Sequence, residues 1–183
     1  MTRIWIVRHG EAAASWEKDP DPGLSILGQE QAERTAQALI ELVPAEATLL
    51  SSPLLRAQET AHAFAQKYGA NVAIDARFSE VRSPVPLSGR KVWLQAFMQQ
   101  DWSQQSGDLW AWRNDIIAGL KACSGPTVVF CHFLVINAVI AEIQQKSEVL
   151  QVYPANASYH ELVLVNGELS LVRLGDQMES RVN

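Results

Sequence analysis

The sequence predicts an α/β protein: a three-layer α/β/α arrangement with a mostly parallel central sheet covered by helices on both faces. Three observations predict it. Short apolar runs alternate along the chain with longer segments of helical periodicity. The runs at Ile4–Val7 and within Thr127–Cys131 are nearly unbroken, as strands with both sides buried are. The chain's 183 residues, 48% hydrophobic and 19% charged, suffice for one domain with a real core and no more than a small subdomain besides.

Ile4–Val7 is read as the first strand. Glu11–Gly23, with Asp19-Pro20-Asp21-Pro22-Gly23, reads as a polar loop. Gln29–Val43 is expected to be helical, since Ala32, Ala36, Leu39, Ile40 and Val43 share a face and Pro44 stops it. Ala47–Leu50 is a second strand. Ser52 can cap the next helix, with Pro53 at its first position, Leu54, Ala57, Ala61, Phe64 and Tyr68 on its inner face, and Gly69 at its end. Asn71–Ile74 is a third strand, and residues 79–90 read as a loop. Lys91–Gln100 and Leu109–Ala122 are expected helices, separated at Ser106-Gly107. Thr127–Cys131 is a strand ending at His132, and Val135–Gln145 a helix. Tyr159–Val165 and Glu168–Leu174 form a hairpin across Asn166-Gly167.

Composition narrows the function. A net charge of −5 argues against nucleic acid as the main partner, because backbone binding needs clustered Lys and Arg. The two cysteines, Cys123 and Cys131, make no disulfide framework. The start of the chain has no basic-then-apolar leader, and no apolar stretch reaches the roughly 18 residues that suggest a membrane span. The expected location is the cytoplasm.

The chemistry concentrates in Arg8-His9-Gly10-Glu11, which follows the first strand directly. A strand ending in arginine and histidine sets a nucleophile beside a fixed positive charge, and the adjacent glycine permits close backbone approach. That combination suits a phosphate. In parallel sheets, ligands bind beyond the carboxyl ends of strands. Arg8, His9 and His132 lie at such ends, and Arg56 lies in the first turn of a helix that follows one. Four side chains distant in sequence can therefore meet at one edge of the sheet.

These residues resemble the histidine phosphatase superfamily, also called phosphoglycerate mutase-like. The Arg-His-Gly-Glu motif is the first element. Leu24-Ser25-Ile26-Leu27-Gly28-Gln29-Glu30-Gln31-Ala32 is similar to the family's Leu-Thr-x-x-Gly-x-x-Gln-Ala segment. Ser51-Ser52-Pro53-Leu54-Leu55-Arg56-Ala57-Gln58-Glu59-Thr60-Ala61 resembles its second arginine motif. His132 after Val128-Val129-Phe130-Cys131 resembles its second histidine, and Asn156-Ala157-Ser158 a late family segment. Correspondence is weak over residues 81–125. The resemblance implies a single domain over residues 1–183, in which residues 81–125 form a small helical cap over the site. It also implies His9 as the nucleophile that accepts a phosphoryl group. Arg8, Arg56 and His132 would hold the phosphate, and Glu80 would protonate the leaving group. Neither metal nor other cofactor is implied.

The residue types suit those tasks. Phosphoryl transfer leaves a protein mainly positioning and charge stabilisation to supply. Arginine's planar fork matches phosphate oxygens. Histidine attacks only through an unprotonated nitrogen, which neighbouring arginines favour. A positioned carboxylic acid can protonate a poor alkoxide leaving group.

Blander readings stand beside these. Arg56 could pair with Glu59 or Glu41 on the surface, and His132 could be a satisfied strand-end histidine. Glu80 could be a solvated loop residue, with Glu11 or Glu17 as the acid; Glu11 is read instead as ordering its loop by hydrogen bonds. His62 and His160 are taken as structural or exposed, and Trp93, Trp102, Trp110 and Trp112 as packing under the cap. The chain departs from the family at Phe133-Leu134, where glycines are common, and at Ala12 and Ser15, where Thr and Asn are common. Phe133 narrows or greases the site and counts against a sugar phosphate. The leading reading is a metal-independent phosphomonoesterase acting on a small-molecule phosphate ester. The rivals are a protein phosphohistidine phosphatase with a phosphoprotein substrate, a phosphoglycerate mutase, and a non-catalytic phosphate-ester binding module.

Overall fold

The computed structural model describes residues 1–15 and 18–179. Glu17 and the adjoining part of the expected 11–23 loop lie outside the described residues. The elements run β1 (Thr2–Arg8), α1 (Ile26–Ile40), β2 (Thr48–Ser51), α2 (Leu55–Tyr68), β3 (Val72–Ile74), α3 (Arg90–Phe97), α4 (Gly107–Lys121), β4 (Thr127–Cys131), α5 (Phe133–Gln144), β5 (Tyr159–Val165) and β6 (Glu168–Arg173). Short 3₁₀ turns at Ala76–Phe78, Leu87–Gly89 and Trp102–Gln104 join them. Among the described residues no helix is long and apolar enough to cross a membrane.

The strands form one sheet in the order β3-β2-β4-β1-β5-β6. β3, β2, β4 and β1 pair in parallel, with Ile6 opposite Val129 and Leu50 opposite Val129 in register. β5 runs antiparallel to β1, and β6 antiparallel to β5, so β5 alone opposes the common direction. The β5–β6 hairpin turns at Asn166 (φ 53°) and Gly167 (φ 81°), both left-handed as a type I′ turn requires.

Period-2 alternation divides the core into two layers. Ile4 and Ile6 of β1, with Val129 and Cys131 of β4, face one side and pack with Ile116, Leu120 and Ile136 from α4 and α5. Trp5, Val7, Val128 and Phe130 face the other and pack with Ala36, Leu39 and Phe64 from α1 and α2. Burial on both sides explains why these two strands read as continuous apolar runs.

Two glycines set the approach of α1 to the sheet. The sequence places the helix start after Gly28, but α1 begins three residues earlier at Ile26, capped by Ser25, whose Oγ accepts from the Gly28 N–H at 2.9 Å. Gly28 is there for space, not as a breaker. A Cβ on it would lie 2.1 Å from the Glu11 carbonyl oxygen, and one on Gly10 would lie 2.5 Å from the Gly28 carbonyl oxygen. The helix N-terminus therefore sits directly against the backbone behind His9.

Within residues 81–125, α3 and α4 do different things. α4 lies on the sheet-covering layer, with Ile116 and Leu120 fully buried. Arg113 of α4 stacks on Trp102 and Trp110 at 4.8 and 5.0 Å and pairs with Glu142 at 3.0 Å. α3 contributes Arg90, Lys91, Leu94 and Gln95 to the wall of a cavity at the carboxyl end of β1.

Candidate active site

His9 is fixed by backbone on both sides. Its N–H donates to the Cys131 carbonyl at 3.0 Å, extending the β1–β4 ladder past the strand end, and its carbonyl accepts from the Ala157 N–H at 3.1 Å. The ring is held as well: Nδ1 is 2.6 Å from the Gly10 carbonyl, and the Arg56 Nε–H donates to Nε2 at 3.1 Å. A carbonyl can only accept and a guanidinium can only donate, so Nδ1 carries the proton and Nε2 holds its lone pair toward Arg56. Burial pushes the His9 pKa down to about 3, helped by the charges of Arg56 and then Arg8. The neutral imidazole is thus the form present near neutral pH.

Arg56 enters from the first turn of α2. Its guanidinium also lies 3.9 Å from Asp21, and the same Asp21 Oδ1 accepts from the Leu55 N–H at 2.9 Å. The surface partner considered from sequence, Glu59, is engaged elsewhere, accepting from the Leu24 N–H. Ser52 departs from its expected part as helix cap. α2 starts at Leu55 with Leu54 as its uncapped N-cap, and Ser52 Oγ instead lies 2.7 Å from His132 Nε2 while accepting from the Leu54 N–H at 3.2 Å. That hydroxyl can also give its own hydrogen to His132 Nε2, an arrangement in which the ring proton sits on Nδ1.

His132 is fully buried at the end of β4, its ring centroid 5.2 Å from that of His9. Its Nδ1 has no hydrogen-bond partner among the described residues. Burial, then the neighbouring His9, Arg56 and Arg8, hold its pKa well below the ordinary histidine value. Arg8 reaches the same place from β1. Its Nη1 donates to the Pro154 carbonyl at 2.7 Å, and its guanidinium lies 5.2 Å from the Phe133 ring centre. Burial lowers its pKa to about 10, the Glu80 carboxylate opposing and Arg56 adding to that shift.

Glu80 follows the 76–78 turn and lies across the N-terminus of α5. Its Oε2 accepts from the Leu134 N–H at 3.1 Å and its Oε1 from the Val81 N–H at 3.1 Å. Burial raises its pKa, outweighing the two backbone hydrogen bonds and the charges of Arg56 and Arg90, which all lower it. Glu11 is engaged elsewhere, accepting from Ser25 Oγ at 2.8 Å. His62 is exposed on α2. His160 is buried and accepts from the Gly175 N–H at 2.9 Å.

All five residues singled out in the sequence, Arg8, His9, Arg56, Glu80 and His132, therefore converge. Arg8, His9, Arg56 and Glu80 line one cavity of about 550 Å³, and His132 stands behind His9. Two residues of this site escape sequence reading. Ser52, which orients His132, has the same signature as an ordinary helix cap. Arg90 lines the cavity, its Nη2 donating to the Val81 carbonyl at 3.0 Å, and its charge reaches Glu80, Arg56 and His132. It carries no motif, only a position at the start of a helix.

Residues 4–114 match the family model described as histidine phosphatase superfamily, branch 1. No curated protein matches the chain in sequence. Among solved structures, a mycobacterial glucosyl-3-phosphoglycerate phosphatase complexed with VO3 is 21% identical, with a TM-score of 0.73 over 97% of this chain and all of that one. A phosphoserine phosphatase from Entamoeba histolytica, in complex with 3-phosphoglyceric acid, is 19% identical, with a TM-score of 0.72 over 97% of this chain and 98% of that one. YhfR of Bacillus stearothermophilus is 16% identical, with a TM-score of 0.76 over 97% of this chain and 98% of that one. At these identities the likeness establishes a shared fold.

Proposed function

The chain belongs to the histidine phosphatase superfamily, branch 1, and from that premise we propose that it hydrolyses small phosphomonoesters through a phosphohistidine on His9. The observation that carries this reading is the tautomer of His9. Gly10 holds the proton on Nδ1 and Arg56 faces the Nε2 lone pair. An attacking nitrogen and a guanidinium thereby share the place where a phosphoryl group would sit.

In this reading Arg56, Arg8 and the His132 Nδ1–H bind the phosphoryl oxygens. Each charged hydrogen bond is worth about 1.5–3 kcal/mol, and those that tighten as charge shifts onto the oxygens accelerate the step. His9 Nε2 forms a bond to phosphorus as the bond from phosphorus to the alcohol oxygen breaks. Glu80, whose burial favours its protonated form, gives a proton to that oxygen. Water then attacks the phosphohistidine, Glu80 takes the water's proton, and the bond from Nε2 to phosphorus breaks to release phosphate. The structural neighbours named as phosphatases of glucosyl-3-phosphoglycerate and phosphoserine support a small phosphate ester as substrate.

The test is turnover of an aryl phosphate by the parent and His9→Ala proteins, with acid- and alkali-quench trapping of labelled phosphate. The reading expects turnover in the parent alone, and a label stable in alkali and labile in acid. Equal activity in both proteins overturns it.

A further inference from the structure

Much of the wall of this cavity is carbon: Leu94 from α3, Met98 just after it, Phe133 at the first turn of α5, and Met178 from the C-terminal segment. Phe133 and Met178 lie against Arg8, whose guanidinium is 5.2 Å from the Phe133 ring centre and whose Nη1 donates to Met178 Sδ at 3.4 Å. Leu94, Met98 and Phe133 are half-buried and pack on the main core cluster, so these faces are held in place. Phe133 is further braced edge-on by Tyr153, ring centres 6.3 Å apart. Met178 is tied down by its N–H donating to the Tyr153 carbonyl at 2.7 Å.

Most polar groups lining the cavity are already engaged: Glu80, Arg8 and Arg90 hold backbone partners, Arg56 holds His9, and Glu11 holds Ser25. Asn156 Oδ1 has no partner among the described residues, and Ser15, Lys91 and Gln95 are exposed. A sugar or polyol lying along the carbon wall would set its hydroxyls against hydrocarbon and lose water with few groups to replace it, which is costly for each hydroxyl. An apolar body would instead bury surface at no such cost. The volume of about 550 Å³ leaves room beyond a phosphoryl group for a body of several carbons.

From this lining we infer that the alcohol half of the substrate is hydrophobic: the site takes phosphomonoesters of alkyl or aryl alcohols in preference to those of sugars and polyols. The inference rests on the phosphomonoesterase reading for its catalytic half, but the wall that carries it can be tested by binding alone.

Leaving-group reactivity must be held constant, so the probe is a series of n-alkyl phosphates from ethyl to octyl, whose alcohols differ little in acidity. kcat/KM should rise about fourfold per added methylene until the pocket is filled. Propyl phosphate should exceed glycerol 3-phosphate at least about tenfold. The same slope should appear in the affinities of the parent protein for ethyl- to octylphosphonate, measured by calorimetry, where no turnover is involved. In Leu94→Asn and Met98→Gln, two partly exposed positions chosen so that the core stays intact, the slope with chain length should flatten. A flat or falling dependence on chain length, or equal use of glycerol 3-phosphate, overturns the inference even if hydrolysis is robust. A rising phosphonate slope in a protein that hydrolyses nothing would uphold the pocket and sink the phosphatase reading instead.

Discussion

The two ends of the cavity are built by different parts of the sequence and obey different physics. The end proposed to take phosphate is assembled from strand ends and first helical turns: Arg8 closing β1, His9 after it, Arg56 at the start of α2, His132 after β4. His9 is positioned by backbone that the sheet already holds, its N–H prolonging the β1–β4 ladder. The carbon wall comes from α3, the first turn of α5 and the C-terminal segment, and would meet a ligand through area instead of direction. A directional site fails when one group is lost, while an area-based one weakens by degrees. The phosphate end should therefore set whether reaction occurs, and the carbon wall which ester reacts.

The sharpest way to break that division is at the nucleophile. His9→Ala should abolish turnover, and Arg56→Ala should lower kcat/KM by on the order of 10³ for every ester alike. Steady-state kinetics across a chemically varied panel would check this. A loss in Arg56→Ala confined to one class of leaving group would show that the two ends are not separable.

Glu80 stands on the boundary between them, and its loss should depend on the leaving group's chemistry. Glu80→Gln keeps the shape of the side chain and an acceptor oxygen for one of the Leu134 and Val81 N–H groups, but has no acidic proton to give. Alkyl esters should slow by about 10²–10³, and nitrophenyl phosphate, whose phenolate leaves unaided, by much less. In the parent, kcat for alkyl esters should decline as pH rises through the elevated Glu80 pKa, and that limb should vanish in Glu80→Gln. A uniform loss across leaving groups would assign Glu80 to positioning alone.

This contrast also accounts for what could be read in the sequence. Residues at strand ends are legible because an apolar run of four or five residues announces its own end, and the next residue must project from the sheet edge. Arg8, His9 and His132 are visible for that reason. The parallel sheet and its two helical layers follow from the unbroken apolar strands. Phe133 stands out by its place directly after His132, but Leu94 and Met98 are not legible, since their spacing matches that of core residues and half of each is core. Only the fold shows which half faces the cavity. Gly28 and Ser52 mislead for a related reason. A glycine near a helix start and a serine before a proline have common local meanings, yet here long-range contacts with Glu11 and His132 decide.

Ser52 gives a milder test of the phosphate end. Ser52→Ala removes the hydroxyl beside His132 Nε2 and frees the tautomer, so the orphan Nδ1 no longer carries a fixed proton. The expected loss in kcat is about tenfold, the scale of one charged hydrogen bond, with little change in KM. The proton resonances of the His132 ring should shift as the tautomers mix. An unaltered spectrum and rate would return His132 to a purely structural part.

A further effect separates the two ends by stability instead of rate. His9 is neutral in the folded protein down to about pH 3, whereas in the unfolded chain it protonates near pH 6.5. Between those values the unfolded state binds one more proton at this site than the folded state. Its contribution to stability is therefore complete above about pH 6.5 and declines as pH falls toward 3, by about 1.4 kcal/mol per unit. Buried His132 and His160, the latter lowered to about 4, act in the same direction, while the raised pKa of Glu80 opposes them. Urea unfolding between pH 4 and 6.5 should show stability rising with pH. His9→Asn should reduce that slope by about one proton's worth, and Leu94→Asn, which removes no titrating group, should leave it as it is. If the wall substitution moved the slope as much as the nucleophile substitution, the charges of the phosphate end would be coupled to the carbon wall, and the division between them would not hold.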